Sequence, residues 1–132
     1  MFVLDASVAL AWVFEDEQTP SARRVLTRLA TEPALVPALW RFEVANALLV
    51  GERRGRLDPA QVERSVTLLA ALPIEVDREP VDLSRLISVA RRHGLSAYDA
   101  SYLELAAREG ISLATLDSAM AAAARAEGIP VR

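Results

Sequence analysis

The chain has 132 residues, is 52% hydrophobic and 25% charged, and carries a formal net charge of −3. That balance suits one soluble globular domain with a real core rather than a disordered chain, and its acidic total argues against a broad phosphate-gripping surface while leaving room for an enzyme that touches a few phosphates. There is no cysteine, one histidine (His93), and every basic side chain is arginine, which excludes disulfides, iron–sulfur clusters, cysteine or multi-histidine zinc sites, Walker-type phosphate loops and Schiff-base chemistry.

Met1 to Leu4 is an apolar run stopped by Asp5; it is too short for a helix and predicts a buried strand. Asp5-Ala-Ser7 opens a helix through Phe14. Its stretch from Val8 to Phe14 is more apolar than the core contact of one short helix requires, which predicts a partner surface. Glu15-Asp16-Glu17 ends that run. There is no positively charged leader and no apolar window of about 18 residues, so the expectation is a cytoplasmic protein without a membrane span, with residues 1–132 in one domain. Pro20 begins a helix to about Thr31, and Leu35-Val36 is a second strand. Pro37 starts a long helix that ends near Gly55. It is apolar nearly all round and is expected to be largely buried. Asp58-Pro59 is an N-cap followed by a first-turn proline, with its helix running to about Ala71. Pro73 breaks it, and Ile74 to Val76 is a third strand. Val81 to His93 reads as a helix stopped by Gly94; Ser96 caps the next, which ends at Glu109 and Gly110. Ile111 to Thr115 is a fourth strand, Ser118 to Glu127 a last helix, and Ile129 to Val131 a small edge strand. Glycines 55, 94, 110 and 128 stand where helices should end, and none builds a G-x-G-x-x-G fingerprint. Short strands alternating with helices predict a parallel sheet with helices on both faces and a ligand crevice at the carboxyl ends of its strands.

Four acidic residues bear on that crevice. Asp5 directly follows the first strand, and Asp117 stands just beyond the fourth. Each is explained locally as an N-cap. Asp99 lies three residues after Ser96, a spacing that resembles a capping box with aspartate in place of glutamate. Glu43 is harder to explain away. It sits on the apolar helix, Arg41 lies on roughly the opposite side, and Asn46 is one turn further along the same face, placed to orient its carboxylate. Converging, the four would repel by about 4 kcal/mol per pair at about 4 Å and an effective dielectric near 20. With no lysine in the chain, the natural counter-charge is a hard divalent cation, Mg²⁺ or Mn²⁺, which takes oxygen ligands.

Four segments, Val3-Leu-Asp-Ala-Ser7, Trp40-Arg-Phe-Glu-Val-Ala-Asn46, Leu95-Ser-Ala-Tyr-Asp-Ala-Ser-Tyr102 and Ala114-Thr-Leu-Asp117, occur in an order and spacing that resembles PIN domains, most closely VapC-type ribonuclease toxins of bacterial toxin–antitoxin pairs. The resemblance spans essentially the whole chain. It implies a three-layer α/β/α fold with a short-stranded parallel sheet. It also implies an endoribonuclease dependent on Mg²⁺ (or Mn²⁺), with Asp5, Glu43, Asp99 and Asp117 as its acidic cluster. Asp5, Asp99 and Asp117 are then the expected metal ligands. Ser7, Asn46 and Thr115 are expected to position substrate or water. RNA cleavage to 5′-phosphate and 3′-hydroxyl ends, a small cognate antitoxin and a homodimer follow as expectations.

Two other readings compete. A magnesium phosphatase on a similar sheet often needs a second aspartate two residues after the first, and a lysine; here Ser7 occupies the first position and lysine is absent. A non-catalytic RNA-binding module with the same fold is the other. His93 reads as a cation at a helix C-terminus. Arg53, Arg54, Arg56, Arg91 and Arg92 read as solvated helix ends, with an RNA phosphate grip as the alternative. Trp12, Phe14, Trp40 and Phe42 read as core or partner surface, with base stacking the lesser alternative.

Overall fold

A computed structural model describes residues 1–132. Its four strands are only three residues each: β1 (Phe2–Leu4), β2 (Ala34–Val36), β3 (Ile74–Val76) and β4 (Ser112–Ala114). They form one parallel sheet in the order β3-β2-β1-β4, with Phe2 beside both Ala34 and Ser112. Phe2, Val3 and Leu4 are fully buried, as an apolar run in the middle of a parallel sheet must be. The expected edge strand at Ile129–Val131 is reduced to a single bridge between Leu113 and Val131.

Seven helices cover the sheet: α1 (Ala6–Val13), α2 (Pro20–Arg28), α3 (Leu39–Arg53), α4 (Pro59–Ala70), α5 (Leu83–His93), α6 (Ala97–Glu109) and α7 (Ser118–Ala126), with a 3₁₀ turn at Glu15–Glu17. The chain steps outward from β1 to β2 to β3, then crosses back to β4 on the other side of β1. Right-handed crossovers therefore put α1–α4 on one face and α5 and α6 on the other, a three-layer α/β/α arrangement. The packing agrees: α1 lies on α2 and α3, while α6 lies on α5, α7 and β1. The reversal at β1 makes a switch point, where the strand ends splay and a crevice opens.

Local chemistry sets the helix ends. Thr19 accepts the Ala22 N–H ahead of Pro20. Asp58 and Gln61 form a reciprocal capping box, and Gly94 and Gly110 end α5 and α6 in the left-handed conformation. Helix α2 stops at Arg28 rather than Thr31, and residues 29–31 make turns. Helix α3 starts two residues later than Pro37, because a turn in which the Trp40 N–H bonds the Pro37 carbonyl precedes it.

One expectation about burial is overturned and another is narrowed. Most of the Val8–Phe14 stretch is core: Val8, Ala9, Ala11, Trp12 and Phe14 are buried where α1 packs on α2 and α3, and only Leu10 and Val13 are half-buried. Helix α3, in contrast, buries only Trp40, Val44, Leu48 and Gly51. Its Phe42 and Leu49 are exposed, since only one stripe meets the core. Gly51 is needed there for close approach, as a Cβ would stand 2.9 Å from the Phe14 ring.

Candidate active site

Asp5 leaves the central strand at the switch point, its N–H bonded to the Ala114 carbonyl of β4. Its side chain makes no cap to α1. Instead one oxygen, Oδ2, accepts two hydroxyl hydrogen bonds, from Ser7 at 2.6 Å and Thr115 at 2.8 Å. Both hydroxyls are aimed by backbone donors from the β4–α7 loop, Leu116 N–H to Ser7 Oγ and Asp117 N–H to Thr115 Oγ1, each 3.0 Å. A hydroxyl that accepts from the backbone directs its own proton elsewhere. Ser7 and Thr115 thus stitch the ends of β1 and β4 together through the carboxylate and leave Asp5 Oδ1 free. Neither hydroxyl proton points at open crevice; each serves Asp5.

Burial holds the Asp5 carboxyl above its ordinary ionisation range. The two hydroxyls offset part of this, and the negative charges of Asp99 and Asp117 add to it. Glu43 is half-buried and accepts the Tyr102 hydroxyl. Burial raises its pKa, the Tyr102 bond lowers it, and Asp5 and Asp99 raise it again. Asp99 sits in the first turn of α6, raised first by burial and then by Asp117, with the Ser96 hydroxyl offsetting part. Asp117 caps α7 by accepting the Met120 N–H through Oδ1 at 2.9 Å. Asp5, Glu43 and Asp99 are thus each raised in part by the charge of another of these acids, and Asp117 is one of the charges acting on Asp5 and Asp99.

The neighbours differ from expectation at three points. Asn46 is exposed and forms no hydrogen bond with Glu43; at three residues' spacing it lies on the solvent side of α3. Tyr102 orients Glu43 instead. Its ring is wholly buried, and its hydroxyl is pushed far above the usual phenol range by burial and by Glu43, so it stays protonated and donates. The signal for Tyr102 was its place three residues after Asp99, on the same helical face. The capping box at Ser96 is only half made: Ser96 Oγ accepts the Asp99 N–H, and the Ser96 N–H makes no return bond to the Asp99 carboxylate.

The protein supplies no cation here. None of its eleven ion pairs includes Asp5, Glu43, Asp99 or Asp117. Glu104 shows the usual treatment of a buried acid: it is 3% exposed and is met by Arg108 Nε at 3.0 Å. Asp5, at 5% exposure, has no such partner. The donor set is all oxygen and includes a free Asp5 Oδ1, which suits a hard divalent ion. No three of these side chains stand close enough together to hold a metal ion by themselves; an ion here would be held partly through its own water shell, which Mg²⁺ retains. Of the arginines singled out in the sequence, Arg56 pairs with Asp16 and stacks over Phe14, and Arg92 and His93 both bond Glu127. An apolar cleft of about 330 Å³ lies elsewhere, between α3, α4 and β3, lined by Trp40, Val44, Leu48 and Leu69 among others. It holds none of the acids.

Fold and site together define an α/β protein with an unneutralised carboxylate crevice at the switch point of a short parallel sheet. The PIN domain model matches residues 2–126, and the chain belongs to the PIN domain family. It is similar to Ribonuclease VapC3 of Pyrobaculum aerophilum, with 33% identity over 123 residues that cover 90% of this chain and 91% of that protein. It is 38% identical over 119 residues to the VapC ribonuclease Mb0985 of Mycobacterium bovis, covering 89% of this chain and 86% of that one. The crystal structure of PAE2754 from Pyrobaculum aerophilum superposes with a TM-score of 0.73 at 26% identity, covering 98% of this chain and 82% of that one. Within the family the chain is of the VapC type.

Proposed function

We propose that the protein is the toxin of a toxin–antitoxin pair, a metal-dependent endoribonuclease whose active site is Asp5, Glu43, Asp99 and Asp117. The observation that carries this reading is the contrast between two buried carboxylates. Glu104 is neutralised by Arg108, whereas Asp5 is buried among other acids with no protein cation. Burying a charge without a partner is costly, and clusters of this kind mark functional sites. The VapC ribonuclease names of the relatives supply the substrate class.

Asp5, Asp99 and Asp117 would hold Mg²⁺ or Mn²⁺. When bound, such an ion polarises a phosphoryl oxygen and lowers the pKa of a coordinated water. Asp5 is preset for ligation because Ser7 and Thr115 fix its Oδ2 and leave Oδ1 open. Glu43 has one oxygen held by Tyr102, and its other oxygen is free to take a proton from the attacking water. Its raised pKa makes it a stronger base than a solvated carboxylate. The water loses that proton and forms a bond to phosphorus. The bond from phosphorus to the 3′-oxygen breaks and that oxygen takes a proton from solvent water, giving a 3′-hydroxyl on one product and a 5′-phosphate on the other.

His93, the only histidine, is paired with Glu127 at the C-terminal end of α7, so the histidine-pair chemistry that recruits the RNA 2′-hydroxyl has no basis here. A small antitoxin and a second copy of the chain are the proposed partners. The test is cleavage of RNA by the purified protein after EDTA treatment and again after Mg²⁺ or Mn²⁺ is restored, with a phosphomonoester in parallel. Ion-dependent cutting of RNA alone supports the reading. Turnover of the phosphomonoester alone identifies a phosphatase, and turnover of neither identifies a binding module.

A further inference from the structure

The apolar cleft between α3, α4 and β3 has a volume of about 330 Å³, within the usual range for small-molecule sites. Trp40, Val44 and Leu48 line it at four-residue spacing along α3, with Leu69 from α4 and Ile74 and Val76 from β3. Two side-chain donors interrupt this apolar wall. Trp40 is 6% exposed, and its indole Nε1–H is the one buried side-chain polar group in the chain without a hydrogen-bond partner. The other tryptophan shows the normal arrangement, since Trp12 Nε1 donates to the Ala22 carbonyl at 2.8 Å. An orphaned buried donor costs free energy that a ligand acceptor recovers. Arg41, the next residue, is exposed on the same cleft and belongs to none of the chain's ion pairs. No side chain of the lining is an acceptor, so the cleft offers donors and positive charge at one end and hydrocarbon along the rest.

We propose that this cleft binds an amphiphilic monocarboxylate, with its carboxylate on Trp40 and Arg41 and its alkyl chain along Val44 and Leu48. The proposal is independent of the ribonuclease reading. An ionised carboxylate only accepts hydrogen bonds, so it takes the Trp40 N–H and pairs with the Arg41 guanidinium at once. A purely apolar ligand would leave the indole unpaired, and a cation would meet donors and like charge. Both donors stand in the first turn of α3, where the helix dipole also favours a negative charge. The stripe sets the length of the ligand. From Trp40 to Leu48 the helix rises about 12 Å at about 1.5 Å per residue, which matches an extended chain of roughly ten carbons. None of the four acids lines the cleft, so a ligand there leaves the carboxylate crevice open.

The experiment titrates decanoate, below its micellar concentration, into the full-length protein by calorimetry. Decanol and decyltrimethylammonium serve as the neutral and cationic probes of the same chain length. Decanoate should bind once per chain and change the tryptophan fluorescence, and the cation should not bind. Decanol should bind about tenfold more weakly than decanoate, the scale of one lost hydrogen bond to a charged group. Trp40→Phe and Arg41→Gln should each weaken decanoate by about the same factor and leave decanol within about twofold of the parent. Val66→Trp fills the cleft from an exposed position on its wall and should remove binding of both. Circular-dichroism melts check that each variant folds, and Arg41→Gln, on an exposed side chain, tests the head group even if Trp40→Phe does not fold. Decanol binding as tightly as decanoate would overturn the proposal, as would no saturable decanoate binding at millimolar concentration. Decanoate affinity unchanged in Arg41→Gln, or unchanged in Val66→Trp, would overturn it too, and would leave the cleft to a protein partner.

Discussion

Replacing Asp5 by asparagine removes one charge and almost no volume, so its effects on fold and activity separate cleanly. The asparagine amide oxygen can still accept from Ser7 and Thr115 as Asp5 Oδ2 does, and its NH₂ takes the place of the free oxygen, facing Asp99 and Asp117 as a neutral donor. Activity should fall by at least about two decades, or about 2.7 kcal/mol of barrier. Stability should hold or rise, with a defined pH dependence. The folded-state pKa of Asp5 is raised above the ordinary value of 3.8. The folded wild type therefore holds its proton longer than the unfolded chain, and it loses stability as pH climbs from near 3.8 through that raised pKa. The variant has no such loss. The Tm difference should be small near pH 4 and grow in the variant's favour above it. Each tenfold weakening of Asp5 acidity on folding is worth about 1.4 kcal/mol, or about 5 °C for a domain of this size. Thermal melts from pH 4 to 8 in EDTA, beside initial cleavage rates with Mg²⁺, measure both effects. A variant that melts far lower at every pH while cutting RNA normally would refute the reasoning and make Asp5 a structural residue.

Tyr102→Phe keeps the buried ring and removes the donor to Glu43; the Glu43 pKa should rise further, and the acid limb of the pH–rate profile should move to higher pH, a shift a merely structural role would not produce. Thr115→Val should destabilise by about 1–2 kcal/mol through loss of one Asp5 bond and of the acceptor for the Asp117 N–H, read from urea midpoints. Mg²⁺ or Mn²⁺ should stabilise the fold by mass action, by about 2.7 kcal/mol at a hundredfold excess over Kd, and so raise Tm, and Asp99→Asn should weaken that gain; calorimetry that finds no ion binding at millimolar concentration counts against the metal site. Light scattering at tens of micromolar should give the mass of a dimer, and a monomer there would count against the second copy.

The parts of this molecule that announce themselves in sequence are those fixed by local chemistry. Asp58-Pro59, Pro20, Gly94 and Gly110 mark helix ends, and Asp5 and Asp117 stand at strand ends, where topology alone carries them to one edge. What escaped was decided by neighbours. The apolar run of α1 looked excessive because a sequence does not count how many elements press on a helix; this one is enclosed on most sides. Helix α3 looked buried because its composition is apolar, but a single stripe meets the core and Phe42 and Leu49 face outward. The same error made Asn46 the partner of Glu43. The true partner, Tyr102, lies 59 residues away on another helix, and only its place one turn after Asp99 pointed to it. The local cap expected of Asp5 gave way to a long-range one, as Thr115 bonds it across 110 residues.

End-group analysis of the primary RNA products tests the central claim most directly, since it reports which oxygen attacked phosphorus. Water directed by the Asp5, Glu43, Asp99 and Asp117 crevice leaves a 5′-phosphate and a 3′-hydroxyl, and a single 2′-deoxy sugar just 5′ of the cut still permits cleavage. A 2′,3′-cyclic phosphate among the primary products would mean that the sugar attacked instead, and would contradict the assignment of these four acids as a hydrolytic site.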